Sequence, residues 1–225
     1  MVDFLKDNYF ILLYGVTLII ALLRYKRYYS SIVKYFPIII IYTIVSEVLG
    51  YFIRDFEDFQ IVYENKYQYA NYIIFNVYDL VFFFYFYFLF WKTMKNKEHK
   101  AIIKYGSLVY LVSALINPFF QNVYIYPQLY ASTIGSIVLI IAVYLYFRQN
   151  WNQKGKKHDL ILWIGGGLLV FNIFFPIISI ISFFDYPSYE KFKLRQVHYV
   201  LIVAMYMCFI MGFILMKPYR PVENS

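Results

Sequence analysis

The sequence predicts an all-α fold, a polytopic bundle of seven transmembrane helices, and three observations lead there. Of 225 residues, 62% are hydrophobic and only 15% are charged, against roughly 45–50% and about 25% in a soluble domain. The apolar residues gather into runs close to the ~20 residues with which a helix crosses a bilayer. Between the runs stand short polar connections with no Gly/Ser-rich linker, so residues 1–225 read as one domain. This composition excludes a disordered chain and a pair of soluble domains. One cysteine, Cys208, excludes an intrachain disulfide.

Seven spans follow in order. The first, about 8–23, comes after Met1–Asp7, which lacks the basic segment and small-residue cleavage site of a signal peptide, so it is expected as a retained helix. It is the shortest, and Asp3, Lys6, Arg24, Lys26 and Arg27 can reach outward from its ends. The second, about 35–53, contains Glu47. The third, about 69–91, contains Asn71, Asn76 and Asp79 and ends in the run Phe82–Trp91, almost wholly aromatic and leucine. That run is expected as core and lipid-facing bulk. The fourth and fifth, about 101–118 and 129–147, hold Asn117, Ser132 and Ser136. The sixth, about 160–183, holds Gly165–Gly167, a close helix approach or a hinge, then Asn172 and Pro176, a candidate break. The seventh, about 197–216, opens on His198 and Tyr199 and has no lysine for a retinal link.

Charge orients the bundle. Fifteen of the 21 Lys and Arg residues fall in the segments that lie inside if the N-terminus is outside, and six in the outer ones. The positive-inside rule therefore predicts N-outside and C-inside. The net charge of +8 sits in these loops and not along one stripe, so it marks topology and lipid contact and not nucleic acid. An all-helical bundle belongs in a cytoplasmic (inner) membrane.

Ionisable groups inside a membrane are costly and need a partner, water or a ligand. Glu47 and Asp79 are the clear cases. Asn76 and Asp79, three apart, share a face of span three with Tyr72. Glu47 is expected either protonated or paired with His198, and Asp79 bonded to Asn76 or Asn172. Polar side chains concentrate in the outer half or at the midplane (Asn71, Asn76, Asn117, Ser132, Ser136, Asn172, Ser179, Ser182, Gln196, His198). The inner half has little beyond Thr17, Thr43, Ser107 and Ser113. This predicts a wet pocket open to the outside above a dry floor. A pore would be polar along its whole length.

The chain has no HExxH, GxSxG or Walker A pattern, and its three histidines, His99, His158 and His198, fall on opposite sides of the membrane. No metal, cofactor or catalytic residue is expected. Glu47 with Gly50-Tyr51, the run Asn76-Val77-Tyr78-Asp79 and the pair His198-Tyr199 resemble uncharacterised small seven-helix bacterial membrane proteins. More loosely they resemble the seven-helix sensor modules that precede bacterial signalling kinases. That resemblance implies the fold and a sensing role, and no kinase follows span seven, so a protein partner would dock on the basic inner loops. The leading expectation is a receptor-like bundle. It would bind a small, partly apolar ligand between spans 2, 3, 6 and 7, with Glu47, Asn76, Asp79, Asn172 and His198 as candidate contacts. The alternatives are a transporter or proton-coupled carrier using the same acids and a non-catalytic membrane scaffold.

Overall fold

A computed structural model describes residues 9–55, 72–124, 126–152 and 158–217. Within them the chain is helical, with no strand. The helices are α1 (Tyr9–Leu23), α2 (Phe36–Asp55), α3 (Tyr72–Thr93), α4 (Lys97–Ile116), α5 (Leu129–Asn150), α6 (Leu160–Phe184), the short α7 (Tyr186–Lys191) and α8 (Leu194–Leu215). Of these, α2 to α6 and α8 are long and apolar enough to cross a membrane. The 15 residues of α1 extend about 22 Å at 1.5 Å per residue, short of the roughly 30 Å of a bilayer core. Six crossings therefore rest on length and composition, and the seventh does not. Asn71, Lys6, Lys66, Lys154, Lys156, Lys157, Arg220 and most acids of the expected outer segments lie outside the described residues.

Helix α1 packs on α2, α2 on α3, α3 on α5, α5 on α6, α6 on α8, and α8 back on α1, which closes a ring of six. Helix α4 lies outside it, against α3 and α5. One end of the bundle collects Arg24, Lys26, Arg27, Lys34, Lys92, Lys95 and Lys217, and is called the basic end below. At the opposite end lie the connection through Asn117–Gln128 and helix α7.

A ring this wide has an axis that must be filled, and aromatic rings fill it. Phe36, at the start of α2, is 1% exposed. Its ring centre lies 5.2 Å from Phe209, 5.7 Å from Phe213 and 6.1 Å from Phe86. Phe82 stands 4.8 Å from Phe86 in turn. Most of the Phe82–Trp91 run, including Phe83, Tyr87, Leu89 and Phe90, is buried. The bulk expected of it is therefore core. The outward faces are apolar too. Leu12, Val16, Ile19 and Leu23 of α1, and Ile38, Ile41, Val45, Leu49 and Phe52 of α2, are exposed at three- and four-residue spacing, one stripe along each helix. Stripes of this extent would be aggregation-prone in water. They match a hydrocarbon solvent, so the chain is an integral, multi-pass membrane protein.

Local chemistry moves several expected boundaries. Helix α4 begins at Lys97, four residues early, because the Asn96 side chain accepts the Glu98 N–H at 2.7 Å and Glu98 lies in the first turn, where negative charge favours a helix start. The connection before α8 contains α7, capped by Asp185, whose carboxylate accepts the Ser188 N–H at 3.2 Å. Lys193, with φ of 51°, then turns the chain into α8. Pro176 does not break α6, which continues to Phe184 with the proline buried inside it. Pro176 denies only the Asn172 carbonyl its helical N–H, and neighbouring helices support the segment.

The Gly165–Gly167 run is a close approach and not a hinge. A Cβ at Gly167 would fall 2.8 Å from the Met205 carbonyl oxygen and 3.1 Å from Cys208 Cβ of α8. From the other side, a Cβ at Gly212 would fall 2.8 Å from Trp163 Cβ of α6. Nothing lies within 4 Å of the corresponding point at Gly166.

Two measurements follow from these contacts. Gly167→Ala is expected to lower stability in detergent by about 1–3 kcal/mol, the usual cost of overpacking. Gly166→Ala is expected to be neutral or stabilising by up to ~1 kcal/mol. Equal effects of the two in thermal unfolding would refute the close approach. Separately, Ser188 holds the Asp185 carboxyl below its ordinary range through its side chain and its N–H. Because the folded value lies below the unfolded one, the cap holds at neutral pH and is lost as pH falls through the lowered value. Amide exchange at Ser188 is expected to quicken on that acid limb.

Candidate functional site

Thr43 stands at the centre of the ring. Its hydroxyl donates to the Ile39 carbonyl one turn back, at 2.9 Å. A threonine hydroxyl has one proton and two lone pairs, so the Tyr78 hydroxyl, 3.1 Å away, must be the donor in that pair. Tyr206 of α8 lies beside the same hydroxyl and acts on it electrostatically. Tyr14 of α1 closes the group, with its ring centre 4.3 Å from that of Tyr206. Tyr14, Thr43 and Tyr206 are buried and Tyr78 is half-buried. Four elements thus bring hydroxyl groups to one point among apolar helices.

Glu47 lies one turn beyond Thr43 on the same face of α2. It is half-buried, and its carboxylate acts electrostatically on Tyr14, Tyr78 and Tyr206. Asp79, next to Tyr78 in sequence and also half-buried, accepts the Ser132 hydroxyl of α5 at 2.9 Å through one oxygen. Both acids act electrostatically on Tyr78, Glu47 from α2 and Asp79 from α3.

The other expected contacts are committed elsewhere. Asn76 donates to the carbonyls of Val123, at 3.0 Å, and Tyr126, at 3.4 Å, and accepts the Gln128 N–H at 2.9 Å. It holds down the connection into α5 and does not bond to Asp79. Asn172, 1% exposed, donates to the Leu168 carbonyl of its own helix at 2.9 Å. His198 sits against Phe171 and Phe175, each 5.6 Å between ring centres. Asn117 and Gln121 accept the N–H groups of Ala131 and Leu129 at the start of α5. Ser136 is fully buried, and its hydroxyl has no hydrogen-bond partner among the described residues.

Below this cluster, toward the basic end, the axis is dry: Phe36, Phe86, Phe90, Phe209 and Phe213 are all buried. Half-buried polar groups and two acids form a cluster on one side of the aromatic plug. Its centre differs. Tyrosines of α1, α3 and α8 make it, where asparagines were expected. Among the described residues no group of three or more His, Cys, Asp or Glu side chains is placed to hold a metal. No family model, no curated protein and no solved structure matches the chain.

The Asn76 clamp is open to test. Asn76→Ala is expected to leave two carbonyls and one N–H without their partner and to cost about 1–3 kcal/mol. Faster amide exchange confined to residues 122–128 would identify a clamp; uniform loosening of α3 would not.

Proposed function

We propose that this chain is a receptor-like protein of the cytoplasmic membrane. It spans seven times with its N-terminus outside, and it binds a small, partly apolar ligand in a pocket that opens at the end opposite the basic one. One observation supports this above the others: two intramembrane acids, Glu47 and Asp79, act on the tyrosines gathered at the bonded Tyr78–Thr43 pair beside an aromatic plug. One Asp79 oxygen holds Ser132, and the other has no hydrogen-bond partner among the described residues. A ligand bearing a donor or a positive charge would find two carboxylates, tyrosine hydroxyls, and tyrosine and phenylalanine faces at one depth. Sensing would pass to a separate protein partner at the basic end.

A second reading, a proton-coupled carrier using the same two acids, draws on one feature: polar groups lie on both sides of the plug, as alternating access would require. A third reading, a non-catalytic membrane scaffold, draws on the structural roles of Asn76, Asn117 and Gln121, which bond backbone groups of the connection into α5 and of its first turn.

Native mass spectrometry of protein purified from membranes distinguishes these readings. A discrete bound mass is expected, with occupancy reduced about 10- to 100-fold in Glu47→Gln or Asp79→Asn at unchanged unfolding temperature, as loss of a charged hydrogen bond would give. No bound mass, together with pH-gradient-driven flux in reconstituted vesicles that the same variants abolish, selects the carrier. Loss of stability without either refutes both.

A further inference from the structure

The basic end holds a cavity that the central cluster does not explain. It has a volume of about 410 Å³, where a water molecule occupies roughly 30 Å³ in the liquid. Four segments wall it: the α1–α2 connection with Arg27, Tyr28 and Ser31, the end of α3 with Lys92 and Thr93, the entry to α6 with His158 and Asp159, and the end of α8 with Lys217. The Phe36 plug separates it from Thr43. Phe36 follows Val33 of the wall by three residues, and Phe213 precedes Met216 by three.

Its charge is one-sided. Three cationic residues, Arg27, Lys92 and Lys217, and a single carboxylate, Asp159, line it; the Lys92 ammonium rests over the Trp91 and Phe88 rings, 5.3 Å and 5.8 Å from their centres. That carboxylate is already engaged, accepting the Tyr146 hydroxyl at 2.6 Å and the Ile161 N–H at 3.0 Å as the cap of α6. The start of α6, whose dipole is positive at that end, adds to the field. His158 adds a fixed orientation: Nδ1 lies 2.7 Å from the Leu215 carbonyl. A carbonyl only accepts, so Nδ1 carries the proton. Arg27 is held near the wall, with Nη1 3.5 Å from the Met216 carbonyl. A roomy cavity between helix ends with three cations and an occupied carboxylate is built for an anion.

We infer that this cavity binds a phosphate-bearing ligand, with Arg27, Lys92 and Lys217 holding the phosphate oxygens. Arginine grips phosphate through two parallel N–H groups, and lysine adds point charge. Such chemistry belongs to an anionic phospholipid headgroup or to a soluble phosphate ester, and the position at the bundle's end suits both. The inference does not depend on the pocket at the other end, and Glu47→Gln is expected to leave it intact.

The test uses delipidated full-length protein in a neutral detergent, titrated by native mass spectrometry. One arm adds short-chain phosphatidylglycerol against phosphatidylcholine; the other adds glycerol 3-phosphate and inorganic phosphate. Phosphatidylglycerol is expected to bind at least ten-fold tighter than phosphatidylcholine, less tightly as salt rises, and at least ten-fold more weakly in Arg27→Gln/Lys217→Gln. Binding of glycerol 3-phosphate as tight as that of the lipid assigns a soluble ester; binding only with acyl chains assigns a headgroup. Lys92→Gln, at an exposed position, supplies a milder variant in case the double one unfolds, and is expected to weaken binding several-fold. Lys104→Gln, outside the cavity, is the control. Equal affinity for both lipids with no binding of either phosphate, or equal losses in Lys92→Gln and Lys104→Gln, overturns the inference.

Discussion

Closing six helices into a ring creates a space along the axis that aliphatic side chains fill poorly, and Phe36 is where this chain fills it. Its ring meets Phe86 from α3 and both Phe209 and Phe213 from α8, so one side chain joins three walls. Each offset or edge-to-face aromatic pair adds about 0.5–1.5 kcal/mol beyond its buried area. Several converge here, in a solvent where burial alone gives helices little reason to associate. Part of the high aromatic content, 24% of the chain, has its structural use in this plug.

The plug also divides the chemistry of the molecule. On one side, two acids and a set of hydroxyl groups meet at membrane depth; on the other, cations surround a cavity. Neither could lie inside the plug, because a charge or an unpaired hydroxyl among phenylalanines would go unsolvated. Thr43 shows how closely polarity is accommodated next to it. Its proton goes to its own helix and one lone pair accepts the Tyr78 hydroxyl, with Tyr206 close by.

Much of the fold was legible in the sequence because long apolar runs leave a chain few alternatives in lipid. Ends were less legible. The Asn96 cap advanced α4 into a charged segment, and Asp185 made a short helix of an expected loop. Pro176 misled because proline in a buried membrane helix loses one hydrogen bond without losing the helix. At the site, Glu47 and Asp79 stood out since carboxylates are rare in apolar runs. Asn76 and Asn172 stood out equally, yet they serve backbone carbonyls, a distinction that composition does not encode. Tyr14 and Tyr206 did not stand out, and Tyr78 did so only within the run from Asn76 to Asp79. The available signal was their position in the middle of apolar runs, where a hydroxyl must find a partner, and the four-residue spacing of Thr43 and Glu47.

The ring closes between its first and last helices, α1 and α8, and this has a consequence for how the protein is made. Ribosomes deliver helices in order, so Tyr14 and Phe36 enter the membrane long before Tyr206, Phe209 and Phe213 exist to meet them. Until α8 emerges, the nascent bundle is an open horseshoe with its tyrosines turned toward lipid or the insertion machinery. Closure of the ring thus waits for α8. A ribosome stalled in α8 would leave behind a bundle that no amount of waiting could complete.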